Sequence, residues 1–395
     1  MAAREHLLLY EPRTEGHHLG WLRFLTEDLL SANWQLSLAV DLRPKAHPQV
    51  EDHLSGLLGQ AQLLSAGNLA GAKRAGSTTA SIIQCLHESG AGRVFLPAFD
   101  EVASGWWRRA ALGFYPPAQL RGQIGGIYHR PRFMIAPRWS PNRWLKWTGF
   151  SRMLRQGWIR QLLFVDEFLA ADLQKRFPGA PLFFLPDPCP EGYEGNTAEA
   201  RRQLGLPAEK WIFLFFGLGH RRKGLHLAVE AMLQLDSNSP AFLLCAGQLN
   251  PQGTTAEGLQ QLAQKGRARL INRYVSAAEE KLCFAACDSV LLPYINHFGT
   301  SGVLSRAMAA GKMVVVSDEQ LLGRLTRERG LGLVFPSGEV QRLRLKLEQA
   351  MEANAAQAAA WRAAAQQYAR HYSRQAYRAA LLQCIGLPSP FFPNA

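Results

Sequence analysis

Short apolar runs alternate with stretches of helical period along the whole chain. In the first half the runs are Leu7–Tyr10, Gln35–Val40, Arg93–Leu96, Gly126–His129, Leu162–Val165 and Leu182–Leu185. In the second half they are Ile212–Phe216, Phe242–Ala246, Arg269–Asn272, Ser289–Leu292 and Met313–Val316. Continuous apolar runs of this kind, separated by helices, predict parallel strands buried on both faces. Two such sets predict an α/β chain of two doubly wound domains. No repeat at solenoid periods interrupts the pattern. The proline-rich segment Pro186–Gly192 can continue neither a strand nor a helix and marks the boundary. The expected divisions are 1–188, 192–368, and a C-terminal helix and tail over 369–395. From about Leu343 to Ile385 the chain is alanine-rich and helix-favouring, and Pro388, Pro390 and Pro393 end it.

Two places in the second half carry chemistry. The run ending Phe215-Phe216 enters Gly217-Leu218-Gly219, then His220-Arg221-Arg222-Lys223-Gly224. A helix follows, with Leu225, Ala228, Val229 and Met232 on one face. Cations at the carboxyl end of a parallel strand stand where open α/β sheets bind ligands, and Arg with Lys suits a diphosphate. A solvated charged turn is the plainer alternative. The second place is His297-Phe298-Gly299-Thr300-Ser301-Gly302, opening a helix that runs through Arg306 to Gly311. Free N–H groups at a helix start, glycines for close approach and two hydroxyls make a phosphate cradle. A simple Ser or Thr N-cap would leave the same trace.

Composition sharpens the choice of partner. The 395 residues are 47% hydrophobic, with a formal net charge of +13, which points to an anionic partner. The longest apolar runs, such as Trp211–Phe216, are far short of the ~20 residues a membrane helix needs. The apolar run after Arg4, Glu5 and His6 is too short for a signal-peptide core, so a cytoplasmic chain is expected. The six cysteines form no CxxC pair and read as reduced thiols, and no metal site is expected. Between Glu101 and Asp166 lie eleven basic residues, no acidic one and six of the ten tryptophans. Its densest part, Arg138 to Arg160, allows three readings: buried tryptophans among solvated arginines, a segment docking on an anionic membrane surface, or a site for another polyanion. No nucleic-acid motif accompanies it, and nucleic acid is not an expected partner.

In order and spacing the two second-half motifs, with Ala246-Gly247-Gln248 between them, resemble the retaining nucleotide-sugar glycosyltransferases of family four (group 1) in the glycogen-synthase-like superfamily. The resemblance implies a GT-B fold: two Rossmann-like domains facing a cleft, with a C-terminal helix packing back on the N-terminal domain. It implies transfer of a hexosyl group from a nucleotide-sugar to a hydroxyl acceptor, with no cofactor; if the Arg138–Arg160 segment docks on a membrane, that acceptor is expected to be lipid-linked or membrane-proximal. No Asp-x-Asp motif occurs, which fits metal-independent transfer. Lys223, Arg222 and His129 become catalytic candidates. Gly16, Gly217, Arg221, Gly299, Thr300, Ser301, Gly302 and Arg306 become donor-binding candidates. His17, His18 and Asp100 fall on the acceptor side. One departure matters: the family has Glu, seven residues, Glu across the glycine loop, and this chain has Phe298 and Arg306 there. The rival readings are therefore a catalytically silent scaffold of the same fold and a basic protein that binds polyanions or membrane surfaces.

Overall fold

The computed structural model describes residues 5–14, 18–66, 75–135 and 140–386. The chain forms two compact units, one of Met1–Leu185 with Arg378–Ala395 and one of Pro186–Tyr377. The change of unit falls in the proline-rich segment, because its prolines cannot donate to a ladder.

The first unit is built on seven parallel strands: β1 (His6–Glu11), β2 (Gln35–Val40), β3 (Gln62–Ser65), β4 (Arg93–Leu96), β5 (Ile124–Tyr128), β6 (Ile159–Phe164) and β7 (Leu182–Phe184). Their order is β3-β2-β1-β4-β5-β6-β7. The second unit has β8 (Trp211–Phe216), β9 (Ala241–Ala246), β10 (Ala268–Ile271), β11 (Ser289–Leu292), β12 (Met313–Ser317) and β13 (Gly332–Phe335), in the order β10-β9-β8-β11-β12-β13. Every pairing is parallel, and helices connect the strands. The central strands bury both faces, as their unbroken apolar runs require: Ile212 to Phe215 in β8 and all of β9 are buried.

β3 and β13 were not among the expected strands. Both are edge strands with half-buried side chains, so neither carries a strong apolar run. The alanine-rich tail is three helices: Val340–Met351, Ala355–His371 and Arg374–Gly386. The break before Ala355 is a capping box between Asn354 and Gln357. The segment 369–395 divides: it stays with the second unit as far as Tyr377, and from Arg378 it belongs to the first. There Arg378 donates to Ser31 at 2.8 Å, and Arg93 donates to the carbonyl of Ile385 at 3.3 Å.

The basic, tryptophan-rich window is largely core. Trp106, Trp107 and Trp158 are buried, and Trp147 packs against the same cluster. Arg143 donates to the carbonyl of Phe133 at 2.7 Å, and Arg152 to that of Ala111 at 2.6 Å. These arginines bind backbone carbonyls. Arg138 and Trp139 lie outside the described residues. Trp144 is exposed, and so are Leu112 and Phe114, in the loop after the helix Asp100–Ala111.

Candidate active site

In each sheet the strand order reverses at one place, and it is at such a reversal, outside the carboxyl ends of the strands, that open α/β sheets form their ligand crevice. In the second unit the reversal lies between β8 and β11. Both second-half motifs leave the sheet at this point: Gly217 follows β8, and Pro293-Tyr294 follows β11. The two loops touch. Gly224 has a φ of +75°, and a Cβ there would lie 1.8 Å from the carbonyl oxygen of Pro293. The amide of Ile295 donates to the carbonyl of Arg222 at 2.8 Å. Glycine at 224 is thus required twice, by backbone conformation and by the neighbouring chain. It ends the short 3₁₀ turn Arg221–Lys223 and opens the helix Leu225–Leu233.

The cations differ in setting. Arg221 and Arg222 are exposed, whereas Lys223 is half-buried with its Nζ 3.8 Å from the ring centre of Tyr294. Burial first, and then the Arg222 charge, push the Lys223 ammonium down to about 8. Among the described residues no carboxylate pairs with Lys223, so the ring face is its main compensation. An ammonium held this way gains most when an anion arrives.

The loop after β11 is held from inside. His297 is buried and pushed down to about 4 by burial, then by Lys223 and Arg222. The neutral ring donates from Nε2 to the carbonyl of Thr300 at 3.2 Å and lies edge-on to Tyr294. Ser301 is the N-cap of the helix Gly302–Ala309: its Oγ accepts from the amide of Leu304 at 3.4 Å and lies 3.2 Å from the Tyr294 hydroxyl. It is buried, and its hydroxyl caps the helix from inside the loop. Half-buried Thr300 hydrogen-bonds Asp187, whose carboxyl is raised chiefly by burial. Gly299 lies in this loop ahead of the cap, and Gly302 is the first residue of the helix.

Arg306 has found a carboxylate. Its Nε donates to Glu280 Oε1 at 2.7 Å, and its Nη1 to the carbonyl of Gly302 at 2.9 Å. Tyr193 donates its hydroxyl to the same Glu280 oxygen. Phe298 is half-buried at the other expected glutamate position.

In the first unit the reversal lies between β1 and β4. Glu11, the last residue of β1, is buried and pairs with His18 Nδ1 at 3.1 Å, which raises the imidazole. Gly16 and His17 lie outside the described residues. Asp100 opens the helix after β4, and its carboxylate accepts from the amide of Arg130 at 3.0 Å. Burial pushes this carboxyl up to about 7. His129 follows β5 directly, donates from Nε2 to the carbonyl of Pro97 at 3.0 Å, and lies edge-on to Trp21. His18, Asp100 and His129 therefore share the carboxyl edge of one sheet. Sequence reasoning missed Glu11, Tyr294, His297 and Glu280. Each looks like an ordinary residue until its partner from a distant loop is known.

Two parallel sheets of this topology are also those of solved glycosyltransferases. Sucrose-phosphate synthase from Thermosynechococcus elongatus is 18% identical, covers 97% of this chain and 98% of its own, and superposes with a TM-score of 0.67. The Anabaena protein HepE, solved with UDP, gives 0.68 at 15% identity over 96% of this chain and 99% of its own. The fold is GT-B, with two Rossmann-like domains. Residues 196–368 match the family model for glycosyl transferases group 1. A D-inositol 3-phosphate glycosyltransferase of Corynebacterium jeikeium is 29% identical over 170 residues, 41% of this chain. One of Corynebacterium urealyticum is 30% identical over 161 residues, 38% of this chain. Each alignment covers 37% of the curated relative's length.

Proposed function

We propose that this protein transfers a hexosyl group from a nucleotide-sugar to a hydroxyl acceptor, with retention of anomeric configuration and without a metal. The observation that carries the reading is Lys223, desolvated at the β8/β11 reversal and, among the described residues, without a carboxylate partner. In this reading Lys223 and Arg222 neutralise the departing diphosphate, and the N-terminus of the helix Gly302–Ala309 adds its dipole. The bond from the anomeric carbon to the diphosphate breaks. The acceptor oxygen bonds to that carbon on the same face and passes its proton to a diphosphate oxygen. Asp100 and His129 stand on the acceptor side, with the Asp100 carboxyl near neutrality and able to bind a sugar hydroxyl in either protonation state. HepE, whose fold this chain shares, was solved with UDP, which supports a nucleotide as ligand.

The test is transfer by purified protein across a panel of nucleotide-sugars, read as release of nucleoside diphosphate. Lys223→Ala should lower turnover by about 10²–10³-fold, the usual effect of losing one transition-state donor. The variant should fold, since the ammonium packs against a ring that stays in place. Near-normal turnover in Lys223→Ala removes the assignment. No turnover with any donor in the wild type favours the silent scaffold, the reading that Phe298 and Arg306 at the glutamate positions support.

A further inference from the structure

At the opposite edge of the second sheet from the crevice lies a cavity of about 720 Å³. Gly311 and Lys312, which line it, lead into β12, and Thr197 opens the helix ahead of β8. The volume is that of small-molecule sites, typically about 300–1,000 Å³. Two chain segments meet in its wall: the one after the entry into the second unit at Pro186, and the one before the exit at Tyr377. They are hydrogen-bonded to each other, the amide of Cys189 donating to the carbonyl of Tyr372 at 2.6 Å.

The charges in this cavity are sorted by segment. Arg362, Gln366 and Arg370 come from the helix Ala355–His371 at spacings of four, which puts them on one side of it. Both arginines are exposed, and among the described residues neither is paired with a carboxylate. Lys312 adds a third cation, its ammonium held by the carbonyl of Ala285 at 2.9 Å. Glu191 and Glu194 come from the entering segment, exposed and likewise without an ion-pair partner. They leave the arginines unpaired although both line the same cavity. Guanidinium groups in this state suit a phosphate, and free carboxylates suit hydroxyl donors.

We propose that this cavity is a second ligand site, for a phosphorylated sugar or polyol. The phosphate lies against Arg362 and Arg370, and the hydroxyls face Glu191 and Glu194. Such a ligand ties the entering segment to the exiting one, at a place the nucleotide does not occupy. The inference stands without the transferase reading, because none of its residues belongs to the crevice.

The test is calorimetric titration of the full chain with glucose 6-phosphate and with inorganic phosphate. Glucose 6-phosphate should bind, and more tightly than phosphate. The double variant Arg362→Ala/Arg370→Ala should lose at least about tenfold in affinity for both; alanine suits this alanine-rich helix, so the fold should hold. Glu194→Gln should weaken glucose 6-phosphate and leave phosphate unchanged. Lys223→Ala should bind glucose 6-phosphate as the wild type does. Four results overturn the proposal: no binding at millimolar concentration, equal binding of the two probes, binding unchanged in the double arginine variant, or binding lost in Lys223→Ala, which would place the ligand in the crevice.

Discussion

At the scale of single residues, the chain shows how one substitution of charge is absorbed. An arginine cannot lose its proton in a protein, so Arg306 needed an acceptor. A phosphate, a carboxylate or water could serve. The structure supplies a carboxylate, Glu280, whose side chain is 15% exposed and which also accepts from Tyr193. Arg306→Ala strands that carboxylate, and the expected cost is about 1–3 kcal/mol. Urea unfolding measures it, and adding Glu280→Gln should return most of the loss, since a neutral amide needs no counter-charge. Equal stability of Arg306→Ala and wild type would show the pair to be idle. None of this was legible beforehand, because Glu280 and Arg306 lie on different helices and no periodic pattern links them.

At the scale of elements, the central strands were legible, and two of the four edge strands, β3 and β13, were not. β2, β4 and β11 fall where their apolar runs put them, because burial on both faces leaves an unbroken run. β3 and β13 have a neighbour on one side only and bury less, so their sequences carry less signal. The glycine loop was legible as a loop, and Ser301 as a cap, but the loop's inner support was not. That support, His297, gives the element a pH dependence. Its folded value near 4 lies below the ordinary 6.5, so the folded protein binds fewer protons in that window. Its contribution to stability is complete above about 6.5, falls as the pH drops, and is lost below about 4, by up to about 3 kcal/mol. Thermal unfolding between pH 4 and 7, wild type against His297→Gln, should show the acid slope reduced in the variant. Parallel curves would mean that the ring is not held neutral.

At the scale of the whole molecule, the net charge of +13 asks for an anionic surface or ligand. Arg121, Arg143 and Arg152 of the cationic window are engaged with carbonyls, so the membrane reading is best tested on a smaller patch. Exposed Leu112 and Phe114 follow the exposed Arg108 and Arg109 at the end of one helix. We expect vesicle co-sedimentation to rise with anionic lipid, to fall with salt, and to weaken in Leu112→Ser/Phe114→Ser. Binding indifferent to lipid charge, or unchanged in that variant, would count against this patch.

The account rests on a nucleoside diphosphate binding at the β8/β11 reversal, and the direct measurement is its affinity for wild type and for Lys223→Ala. A panel of nucleoside diphosphates should contain at least one that stabilises the wild type, by about 2.7 kcal/mol at 100 times its dissociation constant. Lys223→Ala should lose most of that gain. In the wild type the affinity should weaken as the pH rises past about 8, where the ammonium of the free protein is lost. A panel with no binder, or one that stabilises both proteins equally, would contradict the account.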